Sequence, residues 1–232
     1  MRLDRFISKC TTLGRAQSTK LVRQGHVSVN DKTARNPAVK IDKNNDKILL
    51  DGETLEYQEF VYIMLNKPQG YICSTQDNKH KTVLDLLPGK FSRRNPFSCG
   101  RLDIDTTGLV LITDNGKWSH RVTSPKKKCF KKYIVESNEA LSKNDMTSLE
   151  EGVLLDGEEK LTLPAKIEKL DENKYSLQIC EGKFHQIKRM FQAVDNAVVT
   201  LHRSKIGNIE LDKNLQPGEF RELCEEEIQE FS

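Results

Sequence analysis

The 232-residue chain is short of several things, and each shortage removes a class of protein. No apolar run approaches the ~18 residues needed to cross a bilayer, and the opening MRLDRFISKC has no signal-peptide core. A cytoplasmic protein without membrane association is expected. Six cysteines (Cys10, Cys73, Cys99, Cys129, Cys180, Cys224) stand far apart, with no C-x-x-C or other zinc spacing. Packed thiols of a reducing compartment are expected, not a disulfide framework. His120, His185 and His202 have no metal-ligand spacing either, and polar surface suits them better. Glycine-rich phosphate loops, nucleotide fingerprints and Ser-His-Asp constellations are missing. Neither cofactor nor metal is implied.

What is present is unevenly spread. A hydrophobic fraction of 36% suffices for one large domain, or for a small one joined to a medium one. The net charge of +3 hides an asymmetry. Residues 1–40 hold nine Lys/Arg against two acids, a net +7, whereas residues 219–232 hold six Glu against one Arg, a net −5. A basic head is the footprint of a phosphate-backbone binder and equally of a solvated helical face. The acidic tail reads as a solvated last turn.

In the head, Leu3, Phe6, Ile7 and Cys10 fall on one helical face, leaving Arg2, Arg5 and Lys9 outside. After the break TTLG, a second helix is predicted to bury Ala16, Leu21 and Val22 and to expose Arg15, Lys20 and Arg23, with Gly25 at its C-terminal cap. HVSVNDK reads as a strand ending in an Asn-Asp turn. Two short cationic helices and a hairpin make a compact grip for structured RNA. The pattern resembles the S4 RNA-binding domain over roughly residues 1–45, which implies RNA contact at Arg2, Arg5, Arg15, Lys20 and Arg23. A polar stretch, residues 42–60, should complete this domain and become a linker. An apolar strand, VYIMLNKPQGYICS, then opens a second domain, with a turn at Pro68 and Gly70.

The segment GRLDIDTTGLVLITDNG carries Asp103, Asp105 and Asp114 around a buried strand at 109–113. Asp103 and Asp105 share a strand face as a D-x-D pair for Mg²⁺, but such sites recruit further oxygen ligands and no suitable third carboxylate is evident. Asp114-Asn115-Gly116 reads as a turn and N-cap for the helix KWSHRVTS. Alternatively Asp103 is a lone catalytic carboxylate at a cleft mouth, positioned with Arg101, Thr106 and Thr107. Residue chemistry alone leaves these readings open.

GRLDIDTTGLVLITDNG closely resembles the G-R-L-D-x-x-T-x-G-L-L motif of pseudouridine synthases, in which the aspartate after R-L is catalytic. LNKPQGYICS, KKY (131–133), EGKFHQIKRM (181–190) and LHRSKIGNIEL (201–211) resemble the family's other segments in the same order. With the S4-like head the resemblance covers essentially the whole chain. It points to the RsuA branch of bacterial rRNA pseudouridine synthases, acting on the small subunit at uridine 516 of 16S rRNA.

The resemblance implies an α+β protein: an S4-like domain at 1–58, then a catalytic domain at 61–232 built on a long mixed, mainly antiparallel sheet. It makes Asp103 catalytic, Lys188 its cationic partner with Arg189 as fallback, and Tyr133 the residue that stacks on the target base. It places Ile206 and Gly207 on the floor of the base pocket. The lysine-rich run PKKKCFKK (125–132) suits RNA phosphates. The implied partner is structured rRNA or a small-subunit assembly intermediate, bound by a monomer. Rival readings are a sister enzyme acting on large-subunit rRNA, a non-catalytic ribosome-assembly factor and a metal-dependent nuclease.

Overall fold

A computed structural model describes residues 1–92, 94–124 and 127–232; of Lys90 and Ser92 it describes the backbone alone. The chain divides into two compact units, one formed by Met1–Val61 with Leu87–Asn95, the other by Tyr62–Leu86 with Pro96–Ser232.

In the first unit, α1 (Leu3–Cys10) buries Leu3, Phe6 and Ile7 as its spacing requires. Asp4 is buried too, at 2% exposure. Its carboxylate accepts Nε and Nη2 of Arg2 (3.1 and 2.7 Å) and lies 3.5 Å from Arg15 Nε. These interactions, the Arg2 hydrogen bonds first, hold its carboxyl below the usual carboxylate range.

The buried face of α2 (Arg15–Gln24) differs from the expectation. Ser18 and Val22, one turn apart, face the core; Leu21 is half-buried and Ala16 is exposed. The serine is tolerated there because its hydroxyl donates to Gly14 O at 3.0 Å. Gly25, at φ +87°, caps the helix as expected. Strands β1 (Val27–Val29) and β2 (Lys32–Ala34) form a hairpin whose Asn30 and Asp31 both have positive φ. With β3 (Ile48–Leu50) and β4 (Glu53–Thr54) they form a sheet of order β2-β1-β3-β4, over a core of Leu3, Phe6, Ile7, Val22, Val27, Ile41 and Ile48.

The second unit is built on β5 (Tyr62–Lys67), β8 (Phe97–Ser98), β9 (Thr107–Thr113), β10 (Lys131–Ser137), β11 (Lys166–Asp171), β12 (Lys174–Ile179), β13 (Val198–Ile206), β14 (Ile209–Glu210) and β15 (Phe220–Glu222), with a separate pair, β6 (Tyr71–Ile72) and β7 (Lys81–Thr82). The large sheet runs β11-β12-β10-β13-β9-β5-β15, with β14 beside β13 and β8 beside β9. Every pairing in it is antiparallel except that of β13 with β9, so the mixed, mainly antiparallel sheet is as expected. At that parallel crossing Arg203 lies opposite Gly108. A Cβ on Gly108 would sit 2.3 Å from the Arg203 carbonyl oxygen, and its φ is +100°, so only glycine permits the approach.

Beyond the short helix α3 (Gly89–Ser92), helix α4 (Gly116–Thr123) starts where predicted, and Asn115 supplies the cap, its side chain accepting from the backbone N–H of Lys117 and Trp118. Trp118 and Val122 of α4 pack with Met64, Leu109, Leu111, Ile206 and Phe231 in one cluster. Helix α5 (Lys143–Glu151) lies between β10 and β11, and helix α6 (Gln186–Gln192) follows a loop after β12. Among the described residues no helix is long and apolar enough to cross a membrane, and no group of three or more His, Cys, Asp or Glu is placed to hold a metal. The six cysteines are free.

Candidate active site

A cleft of about 720 Å³ opens in the second unit, lined by residues 99–106, by Lys131 and Tyr133 of β10, by residues 179–188, and by Leu201 and Arg203 of β13. Its rim is a loop fastened from below. Lys67, the last residue of β5, is fully buried, and its ammonium donates to the carbonyls of Pro68 (3.1 Å), Ile104 (3.3 Å) and Thr106 (2.7 Å). Burial pulls this ammonium below the ordinary lysine range. Gly70 N–H donates to Ile104 O (2.9 Å), and Thr106 N–H closes the loop on Asp103 O (3.1 Å).

The loop presents Asp103 and Asp105 to α6. Lys188 Nζ bonds both carboxylate oxygens of Asp105, at 2.6 and 2.7 Å, and stands 3.5 Å from Asp103 Oδ2. His185 Nε2 lies 3.5 Å from Asp103 Oδ1 on the other side. Lys188 therefore reaches Asp103, but its hydrogen bonds go to Asp105. They are the leading reason that the Asp105 carboxyl lies below its ordinary range. Asp103 thus has the Lys188 ammonium near one carboxylate oxygen and the His185 imidazole near the other, with its side chain 29% exposed.

Behind the aspartates stand Tyr133, 7% exposed, and Arg203, 2% exposed. Arg203 Nε donates to Leu109 O (2.8 Å) and Nη1 approaches the Tyr133 hydroxyl at 3.5 Å. Its guanidinium carbon lies 6.0 Å from the centre of the Tyr133 ring. Arg203 Nη2 and Thr106 Oγ1 are buried with no hydrogen-bond partner among the described residues. Lys131 also lines the cleft, its pKa lowered by burial.

Asp103, Tyr133, Lys188 and Arg101 thus share one cleft. Other expected site residues stand elsewhere. Thr107 follows cleft-facing Thr106 and points away, its hydroxyl 2.9 Å from His202 Nδ1. Arg189 bonds the carbonyls of Phe184 and Asp156 and lies 3.7 Å from Glu158. Ile206 and Gly207 do not floor this cleft. The register of β10 on β13 shifts between Lys132 and Tyr133, so Arg203 takes the position behind the tyrosine. Ile206 packs into the Trp118 cluster, and Gly207 turns the chain against Phe231. In the basic head, Arg2 and Arg15 are drawn to Asp4, while Arg5, Lys20 and Arg23 point their charges elsewhere. Within the lysine-rich run, Pro125 and Lys126 lie outside the described residues; Lys127 and Lys128 are exposed.

Sequence reasoning missed Arg203, Lys67 and the placing of His185. A faint signal existed for the first: in β13 a charged residue two positions from Leu201 shares its inward face.

A fastened aspartate loop, Lys131, Lys188, a buried arginine and a buried tyrosine thus converge on one cleft of the mixed sheet. A family model described as RNA pseudouridylate synthase matches residues 61–193, and an S4 domain model matches residues 1–48. The chain belongs to the RNA pseudouridylate synthase family and is an isomerase. It is 46% identical to ribosomal small subunit pseudouridine synthase A of Haemophilus influenzae, over 100% of this chain and 99% of that protein. Identity to the protein of the same name from Escherichia coli K12 is also 46%, covering 98% of each. A solved structure described as a pseudouridylate synthase superposes with a TM-score of 0.72 at 44% identity, covering all of both chains.

Proposed function

We propose that the enzyme converts one uridine of small-subunit rRNA, uridine 516 of 16S rRNA, to pseudouridine. It uses Asp103 as its catalytic carboxylate and requires no cofactor or metal. The names of relatives 46% identical over the full chain support the ribosomal small subunit as its object. The target nucleotide follows from the motif resemblance. Residues 1–58 act as the RNA-gripping head and residues 61–232 as the catalytic domain. A monomer acts in the cytoplasm on rRNA or on an assembly intermediate.

The observation that carries the reading is Asp103 itself, with Lys188 Nζ and His185 Nε2 each 3.5 Å from its carboxylate. Isomerisation breaks the N1–C1′ bond and makes C5–C1′; C5 loses a proton, N1 gains one, and nothing is oxidised. An ionised carboxylate serves as nucleophile on C1′ or C6, or as base for the 2′ proton. A neighbouring cation offsets the cost of covering that negative charge with a bound base. Lys188 provides it as a point charge rather than a bidentate fork. Tyr133 stacks on the flipped base, and its hydroxyl relays the proton that C5 loses, passing its own proton on toward N1.

Asp103→Asn should abolish turnover while RNA affinity stays within a few fold, because the amide keeps the shape but is neither nucleophile nor base. Asp105→Asn should be much milder, and Tyr133→Phe should bind normally yet slow by about 10²–10⁴-fold. Quantifying the C–C glycoside in treated 16S rRNA, with EDTA present, reads all three. A dead Asp105 variant beside an active Asp103 variant would reverse the assignment.

A further inference from the structure

Phe184 is the most exposed of the large hydrophobic side chains described, at 74%, and it lines the mouth of the Asp103 cleft. An apolar ring held in water is unfavourable unless something covers it in the working state. Both the backbone of Phe184 and one face of its ring have partners. Its backbone carbonyl accepts from Arg189 Nη1 at 3.1 Å, and Arg189 is itself fixed on the Asp156 carbonyl. One face of the ring stacks on His185, with centroids 3.8 Å apart and planes within 20°. His185 occupies the left-handed region at φ +47°, an uncommon conformation for a non-glycine residue. That backbone turn sets the two rings in parallel while leaving His185 Nε2 beside Asp103.

We propose that the free face of Phe184 is the stacking platform for a nucleobase flanking the target uridine. The proposal rests on reading the Asp103 cleft as the catalytic site. A uridine drawn out of folded RNA leaves its neighbours with an unstacked face, and an aromatic side chain covers that face regardless of sequence. The surroundings favour RNA over a protein partner. Arg101 lines the same mouth, and Lys183 and Lys188 stand there paired with Glu158 and Asp105, so charged side chains ring Phe184, whereas a protein-binding aromatic sits in a continuous apolar patch. The outcome is a three-layer stack of base, Phe184 and His185, ending at the catalytic carboxylate. Docking of the flanking base therefore bears on the position of the imidazole against Asp103.

The test uses the full chain and a 16S rRNA fragment that the wild-type enzyme isomerises, with 2-aminopurine beside the target uridine on either side in turn. Binding to the wild type should quench the fluorophore in one of the two fragments through stacking. Phe184→Ser should lose that quenching and weaken affinity by about 5- to 140-fold, equivalent to about 1–3 kcal/mol at 1.4 kcal/mol per tenfold. KM should rise far more than kcat falls. Phe184→Trp should restore quenching and affinity, which a merely structural role would not allow. Phe184 is largely exposed, so these substitutions leave the core alone. Phe184→Ser with undiminished affinity and quenching would overturn the platform while leaving Asp103 untouched. Turnover by Asp103→Asn would instead remove the reading on which it stands.

Discussion

At the scale of single residues, the chain places charge where solvent is scarce and answers each case differently. Asp4 is answered locally by two arginines, Lys67 by three carbonyls, and Arg203 only in part. The Asp4 arrangement gives a pH-dependent stability. Its folded pKa lies below the unfolded value of about 3.9, so its contribution is complete above that value and is lost as pH falls through the folded pKa. The arginines are 46% and 57% exposed, which screens the pair, so Asp4→Asn should cost about 1–2 kcal/mol at pH 7. Urea unfolding of both proteins from pH 7 to 3 should show the gap closing below about pH 4. A gap that widened in acid would refute the ion-pair account. The same residues mark what the sequence reveals. The loop that displays Asp103 is legible from a turn glycine and an adjacent strand, but only the motif resemblance separates Asp103 from Asp105 and Asp114. Asp4 is hidden, since a charged residue beside an apolar stripe normally faces water.

At the scale of elements, periodicity reveals α1, α2, β1, β5 and β9, and helix ends are marked by caps such as Gly25 and Asn115. The phase of α2 escapes it, because Ser18 buries itself by bonding its own helix. The pairing of β9 with β13 is beyond its reach, as it joins segments more than ninety residues apart. With it go Arg203 and the correct place of Ile206. Lys67 shows the same dependence: it looks like an ordinary turn lysine until β5 and β9 are in register and three carbonyls converge on it. Lys67→Met keeps the length and loses the ammonium, leaving the buried Thr106 carbonyl and the Pro68 carbonyl without this donor, while Ile104 O keeps Gly70 N–H. Loss of stability should be about 2–4 kcal/mol, and the loosened Asp103 loop should slow kcat by about 10–100-fold with KM little changed. Thermal unfolding and steady-state kinetics on 16S rRNA check both. A variant as active and stable as the wild type would show that the loop holds its shape without the staple.

At the scale of the molecule, the +7 head leaves open whether the charge grips RNA or simply solvates helices. Of its five expected RNA-binding cations, Arg5, Lys20 and Arg23 test this cleanly, because Arg2 and Arg15 also hold Asp4 in place. Deleting the head would be a poor substitute. The first unit includes Leu87–Asn95, whose Phe91 is buried and whose Arg94 donates to the carbonyls of Gln58 and Glu59. Truncation would therefore uncover a buried segment as well as remove charge. Neutralising the three cations together, as Arg5→Gln, Lys20→Gln and Arg23→Gln, keeps helix propensity and changes only the field. Each phosphate that goes unneutralised should reduce the slope of log K against log salt by about 0.7–0.9, so the triple variant should be shallower by about 2–3 units. Affinity for 16S rRNA should drop most at low salt and converge with the wild type as salt rises. Turnover at saturating rRNA should be affected far less, since none of the three residues lines the Asp103 cleft. Binding isotherms between about 50 and 200 mM salt decide the matter, and parallel slopes would mean that the head's outward charge faces only water.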